Sequence, residues 1–236
     1  MRRYSRLTTS GALALLLAVT TSLAQADKGP LPTNSNAFGR GYDESAAEWL
    51  EWTVAIPASS NPLFDSNGAF ATIGQSGKVW FLTGTSGQGA TPSVTRTFTV
   101  PTGTALFFPI VNYFWVNTPE YGDPLWSPAQ EENVRKNVLK PVVDTAYGLI
   151  LEIDGRAVPN IERLRVSGAV GECTIPDDNI FGAPFAPGPH PCVAEGYWAL
   201  LPPLSAGIHT IRFAGGFTYP DPFSLDIRYH ITARGH

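Results

Sequence analysis

The sequence has little charge, one methionine and two cysteines, and these shortages argue against several classes of protein. Charged residues make up 15% of the 236 positions, whereas the chain holds 23 Gly and 21 Pro. Coiled coils and helical bundles need long charged stretches with few helix-breaking residues, so neither is expected. Disorder is not expected either, because 43% of the residues are hydrophobic and 11% are aromatic.

The chain also lacks the usual signatures of a nucleophile or a metal site. The segments GQSG at 74–77 and GTSG at 84–87 lack the final glycine of a G-x-S-x-G motif. His209 and His230 lie on predicted neighbouring strands, but the alternation of side chains places them on opposite faces. A shared metal is therefore not expected, and we predict no metal and no cofactor.

Residues 1–26 have the three parts of a secretory signal peptide. Three arginines near the start precede the apolar stretch 11–24, and Ala24-Gln25-Ala26 provides small residues for cleavage. Cleavage near Ala26 predicts a secreted or periplasmic bacterial protein whose residues 27–236 form a single domain. An uncleaved N-terminal anchor is the alternative interpretation.

The predicted mature chain is acidic. Removing the signal peptide leaves 13 basic and 20 acidic residues, a net charge of −7. Binding to nucleic acid needs a basic stripe that neutralises phosphates, and the sequence contains none. We therefore expect no nucleic-acid partner and, after cleavage, no membrane span; the oligomeric state stays open.

Short apolar segments separated by Gly and Pro predict an all-β fold. In the last segment Leu225, Ile227 and Tyr229 alternate with polar residues, as in a half-buried strand. At least seven such segments indicate an antiparallel β-sandwich, jelly-roll-like, with two short accessory helices. Pro109 cannot donate to a β-ladder, so it indicates an edge or a bulge.

The two helices have clear start signals. A capping box begins at Ser45, and Trp49 and Trp52 then share one helical face, which either binds a ligand or, as we favour, packs on a sheet. Ser127 and Pro128 are typical of the start of a second helix, which Pro141 should break or kink.

Cys173 and Cys192 are the only cysteines, and in an exported protein such a pair predicts a disulfide bond. The proline-rich segment between them is expected to have little regular structure. A cross-link there would anchor this segment to the rest of the protein.

The segment 112–126 is expected to be a surface loop that binds a ligand. It contains five residues that suit a sugar, with aromatic faces for the apolar side of the ring and a carboxylate for hydroxyls: Tyr113, Trp115, Tyr121, Asp123 and Trp126. We therefore predict a glycan or another small ligand as the partner. The same aromatic residues could instead form a satellite core beneath the loop.

Two other functions stay open. A secreted hydrolase or lyase could use carboxylates in loops or at strand edges, namely Glu120, Asp123, Asp177, Asp178 and Glu195, although nothing in the sequence pairs any two of them. A non-catalytic cell-envelope protein could use its aromatic residues as a protein interface.

Several segments resemble a family of secreted bacterial proteins. They are GQSGKVWFLTGT (74–85), VPTGTALFFPI (100–110), GYWALLPPLSAGIHTIRFAGG (196–216) and LDIRYHITA (225–233), together with Trp49-x-x-Trp52 and Ile56-Pro57. The resemblance covers most of the predicted mature chain. That family has no established activity, so the resemblance implies export and carries over no functional residue.

The predicted disulfide has a simple chemical test. Protein isolated from an oxidising compartment should show no free thiol after denaturation, because both cysteines are used in one bond. Titration with a thiol reagent measures this, and reduced protein serves as the positive control. Two reactive thiols in the unreduced sample would refute the bond.

Overall fold

The computed structural model describes residues 29–86, 93–182 and 185–235, so the predicted signal peptide 1–26 lies outside the described residues. Within these ranges the chain is mostly strand. The ten strands are β1 (Val79–Phe81), β2 (Val94–Pro101), β3 (Ala105–Val116), β4 (Tyr147–Ile153), β5 (Arg156–Ala157), β6 (Arg165–Ser167), β7 (Gly171–Ile175), β8 (Gly188–Leu201), β9 (Gly207–Phe217) and β10 (Phe223–Arg234).

Helical structure is confined to short elements. The α-helices are α1 (Tyr42–Ala55), α2 (Pro128–Val134) and α3 (Lys140–Val143), and a π-helical turn (Arg135–Leu139) joins α2 to α3. Short 3-10 turns occupy Ala37–Gly39, Ala58–Ser60, Pro62–Phe64, Pro119–Tyr121 and Ile161–Leu164. None of the helices in the described ranges has the length and apolarity that a membrane crossing requires.

The strands form two five-stranded sheets, which confirms the predicted β-rich fold. The first has the order β1-β3-β8-β6, with β7 also paired to β8, and the second has the order β2-β10-β9-β4-β5. Most pairs are antiparallel, as expected, but β1 is parallel to β3 and β2 is parallel to β10. These two pairs depart from the purely antiparallel prediction. Neither is joined by a tight hairpin, a connection that only antiparallel strands allow.

Strand β3 is buried on both faces, which explains its nearly continuous apolar sequence. Leu106 and Phe108 belong to a core shared with the second sheet, where Phe108 stacks on Phe213 of β9 at a ring distance of 5.0 Å. Phe107 points to the opposite face and joins a second core beneath α1. The register shift after Pro109 confirms the bulge alternative.

Helix α1 packs on the outer face of the first sheet. Trp49 contacts Trp198 of β8 edge-to-face at 5.4 Å, and both rings are buried in the core beneath the helix. This confirms the packing interpretation of the tryptophan stripe. The helix begins before the predicted Ser45, because the Glu44 carboxylate accepts a hydrogen bond from the Gly41 N–H at 3.0 Å.

The second helical region begins as predicted but continues through Pro141. The Ser127 hydroxyl accepts a hydrogen bond from the Gln130 N–H at 3.2 Å, which caps α2. The helix then widens into the π-helical turn, where the Lys140 N–H bonds to the Arg135 carbonyl. Pro141 has no N–H to contribute, and it lies directly after the π-helical turn, where the regular i→i−4 bonding is already interrupted.

Cys173 and Cys192 form the predicted disulfide, with a Cα–Cα distance of 5.8 Å. The segment they close is more regular than predicted, because β7 pairs with the start of β8. Pro191 of β8 lies opposite the end of β3, where its carbonyl accepts a hydrogen bond from the Asn117 N–H at 2.8 Å. Its missing N–H is tolerated because the Asn117 carbonyl is hydrogen-bonded to the His190 ring instead, at 3.0 Å.

The close packing of the first sheet can be tested at Gly196 of β8. A methyl group there would lie 2.5 Å from the Val111 carbonyl and 2.6 Å from the Asn112 Cβ. Gly196→Ala should therefore lower the free energy of unfolding by about 1–3 kcal/mol in urea denaturation. Gly29→Ala, in open space, is the control, and equal stability of the two variants would contradict the packing described.

Candidate ligand-binding cavity

A cavity of about 460 Å³ lies where β3 passes beyond its bulge. Four segments supply most of its wall: 109–114 from β3, 217–223 between β9 and β10, 84–86 after β1, and 180–181 after β7. It is therefore bounded by both sheets and by loops. Because three of these segments lie far apart in sequence, only folding brings them together.

The wall is largely aromatic with a few polar groups. The seven aromatic residues that line it are Trp49, Tyr113, Phe114, Phe181, Phe217, Tyr219 and Phe223. The polar residues include Thr85, Ser86 and Asn112, and Asp221 is the one charged residue among the described lining residues. This is the usual composition of a small-molecule site, with apolar walls and few polar groups.

The connection between β9 and β10 and the strand ends that flank it contribute five residues to this wall, one of which is Pro220. Phe217, Tyr219, Asp221 and Phe223 all line the cavity, and Tyr219 is 53% exposed at its rim. Nothing in the sequence pattern marked this connection as part of a site. The signal that could have identified it is the presence of three aromatic side chains and one carboxylate within seven residues.

Tyr113 faces this connection from β3. Burial raises the pKa of its hydroxyl, and the nearby Asp221 carboxylate and Tyr219 hydroxyl raise the pKa further. Tyr113 therefore stays protonated and available as a hydrogen-bond donor throughout the neutral range. It is the member of the predicted set that lines the cavity.

Two buried polar atoms of lining residues lack partners within the described part of the chain. They are the Asn112 Nδ2 and the Thr85 Oγ1. A buried polar atom without a partner costs about 1–3 kcal/mol, and native structures keep few of them. Both residues lie on the cavity wall.

A buried arginine fixes the segment that carries Thr85. Arg96 of β2 has no exposed surface, and it donates to the carbonyls of Thr83 at 2.7 Å, Gly84 at 3.0 Å and Asp65 at 2.8 Å. Its guanidinium also lies 5.5 Å from the centre of a tyrosine ring in β10. These bonds hold residues 83–84 against the second sheet and thereby set the position of Thr85.

The Asp65 carboxylate organises the other end of the same network. Its oxygens accept hydrogen bonds from the N–H groups of Asn67, Gly68 and Phe70. Burial alone would raise the pKa of Asp65, but these donors and the positive charge of Arg96 outweigh burial and lower it from its ordinary value of 3.8. The carboxylate is therefore ionised at neutral pH.

The structure separates the five predicted ligand-binding residues. Tyr113, Trp115 and Trp126 all pack against the small cluster of Val134, Leu139 and Val193, but only Tyr113 of these three also lines the cavity. This is the satellite core that was the alternative interpretation, although the Trp115 Nε1 is buried without a partner in the described ranges.

The other two predicted residues lie on the surface turn that follows. Asp123 accepts hydrogen bonds from the N–H and the hydroxyl of Thr118, at 2.7 and 3.1 Å. Tyr121 is 52% exposed and contacts the Phe185 ring at 4.8 Å. The expectation of one loop over 112–126 was wrong at its start, because β3 continues to Val116 by pairing with β8.

Several carboxylates considered for hydrolysis have structural partners. Glu195 forms a hydrogen-bonded ion pair with Arg165 at 2.5 Å. Asp178 accepts a hydrogen bond from the Ser59 N–H at 3.0 Å. Hydrogen bonding to Ser59 stabilises the ionised carboxylate and lowers the pKa of Asp178. None of the five carboxylates is part of the cavity wall in the described residues.

Comparisons with known proteins do not identify the function of this site. No family model matches the chain, and no curated protein matches it. Among solved structures, PbICP-C in its complex with falcipain-2 is 12% identical with a TM-score of 0.23, over 66% of this chain and 99% of the other. Amebosin is 14% identical with a TM-score of 0.12, over 60% of this chain and 99% of its own. Likenesses this weak support no argument about fold or function.

The role of Arg96 can be measured through stability. Arg96→Met should lower the free energy of unfolding by about 3–5 kcal/mol, because three buried carbonyls lose their donor. Urea denaturation measures the change, and Arg156→Met, at an exposed position in β5, should stay within about 0.5 kcal/mol of the parent protein. An equally small effect at both positions would contradict the proposed anchoring.

Proposed function

We propose that this is an exported bacterial protein that binds a glycan or another small ligand in the cavity beside Tyr113, on a β-sandwich scaffold of jelly-roll type. The observation that carries the proposal is the cavity itself: about 460 Å³, aromatic walls, and two lining residues with buried unpaired polar atoms. Small-molecule sites typically have volumes of roughly 300–1,000 Å³ and this kind of lining.

Binding would use two kinds of contact. The aromatic rings give an apolar surface against which a ring or chain can stack, while the Asn112 amide and the Thr85 hydroxyl pair with polar groups of the ligand. Because these two groups have no protein partner in the described ranges, the ligand displaces no internal hydrogen bond when it bonds to them. The site is therefore prepared for a ligand that has both an apolar face and hydroxyl or amide groups.

Binding is favoured over glycoside hydrolysis by the number of carboxylates. Most glycoside hydrolases need two carboxyl groups flanking the scissile bond, and the described cavity wall contains only Asp221. The aromatic residues Trp115, Tyr121 and Trp126 remain a second predicted contact surface. A protein partner at that surface would correspond to the cell-envelope alternative.

Export is supported by the disulfide between Cys173 and Cys192, because such bonds persist in oxidising compartments. The buried bond cross-links two adjacent strands next to the loop that supplies Phe181 to the cavity. An oxidising location would therefore also keep that part of the wall in place.

The proposal can be tested with a glycan array and a small-molecule thermal-shift screen of residues 27–236. Thr85→Val and Asn112→Leu should each weaken binding of any hit by about tenfold or more, because the hydrogen bond to the ligand is lost. Neither substitution should lower stability, because each removes an unpaired buried group. Affinity is measured by isothermal titration calorimetry.

A Trp115→Ala/Trp126→Ala double variant distinguishes the two surfaces. Ligands bound in the cavity should keep their affinity in this variant. A hit that is lost here but retained in Thr85→Val and Asn112→Leu would overturn the cavity as the site. The absence of any small-molecule hit, together with capture of an envelope protein by the parent chain but not by the double variant, would favour the interaction alternative.

A further inference from the structure

The charge of the cavity wall has one sign. Asp221 is its sole charged residue among the described lining residues, which include no lysine or arginine. Asp221 also forms no hydrogen bond or ion pair with any other described residue. By contrast, the nearby Asp226 of β10 is held by Arg212 of β9 at 2.9 Å. The fold thus neutralises one carboxylate on this hairpin and leaves the one at the cavity without a counter-charge.

The surroundings of Asp221 are aromatic. Phe217 and Phe223 stack at a ring distance of 6.3 Å, and Tyr113 packs against the same apolar cluster. Tyr219 stands two residues before Asp221 and lines the same wall. The faces of such rings carry negative electrostatic potential and attract cations, most strongly where water is excluded.

The negative field of Asp221 reaches into this aromatic group. Burial raises the pKa of the Tyr113 hydroxyl, and the negative charge of Asp221, which lines the same cavity, raises it further. An anionic ligand would meet repulsion from the same carboxylate. Asp221 is exposed, so water solvates its carboxylate when a neutral ligand is bound, and only a cationic group gains an ion pair with it.

We infer that the ligand of this cavity carries a positively charged ammonium group, held beside Asp221 and against the rings of Tyr113 and Tyr219. The inference rests on the proposed binding function and specifies its ligand class, an organic cation. The apolar part of the ligand then occupies the deeper aromatic wall, and its polar groups reach Asn112 and Thr85. Recognition combines an ion pair at the rim with cation–π contacts inside.

The test compares two probes of nearly equal shape. Choline carries a quaternary ammonium, and 3,3-dimethylbutan-1-ol replaces its nitrogen by an uncharged carbon. Isothermal titration calorimetry on residues 27–236 should show that choline binds about tenfold more tightly than the alcohol. Raising the ionic strength should reduce this difference, because the rim contact is partly exposed.

Variants assign the preference to the named residues. Asp221→Asn should bring the affinity ratio of the two probes close to one, and Tyr219→Leu should reduce it while keeping an apolar side chain. Glu132→Gln, on the exposed surface of α2, changes the net charge of the protein equally and should leave the ratio unchanged. A ratio that falls equally in Glu132→Gln would show a general charge effect and overturn the inference.

Failure of this inference can be told apart from failure of the proposed function. Equal affinity for both probes, or binding of neither, overturns the cationic ligand class. If glycan or other neutral hits are still weakened by Thr85→Val and Asn112→Leu, the cavity remains a binding site for uncharged ligands. Loss of the probe preference in Asp221→Asn, with folding unchanged by circular dichroism, supports the assignment.

Discussion

The structure depends on one constraint, which is that β3 buries both of its faces. One face contributes to the core shared by the two sheets, and the other lies beneath α1. A strand in this position cannot keep a polar side, so its sequence is apolar at nearly every position. The same requirement explains why α1 carries large buried aromatic residues: without it, Phe107 and Trp198 would be exposed to water.

The cavity arises where this two-sided burial ends. After the register shift at Pro109, the side chains of β3 no longer continue into the central core, and Asn112 and Tyr113 reach a region bounded by loops. The neighbouring wall segment, 84–86, is placed by the buried guanidinium of Arg96. A bulge and one buried cation therefore position much of the site; the bulge residues Pro109 and Val111 line the cavity, whereas Arg96 acts from behind its wall.

The aromatic residues that line the cavity differ from most of those that the sequence suggested as ligand-binding. The aromatic residues of 112–126 are divided between structural packing around Val193, which includes Trp115 and Trp126, and the cavity wall, which includes Tyr113 and Phe114. The connection 217–223 instead supplies alternating aromatic side chains and a carboxylate without a counter-charge. The proposed binding function and the cationic ligand class both follow from combining these two segments, which meet only in the folded protein.

The local signals in the sequence were reliable where short-range physics decides. Asp154-Gly155, a dipeptide that favours a type I′ turn, connects β4 to β5 with positive φ at both residues. Ser127 caps α2, and the alternation in the last strands correctly places His209 and His230 on opposite faces, since Ile231, not His230, pairs with His209. The disulfide was predictable for a different reason, because two cysteines allow only one intramolecular pairing.

The sequence by itself determined the β-rich class, the start of α2, the hairpin turn and the one disulfide, because each depends on residues close in the chain or on a unique partner. Tertiary structure decided the two parallel strand pairs, the length of β3 and the cavity. Strand partners such as β2 and β10 are separated by more than a hundred residues, and no local preference specifies that pairing. The cavity wall likewise combines distant segments, so its residues become recognisable only when the sheets bring them together.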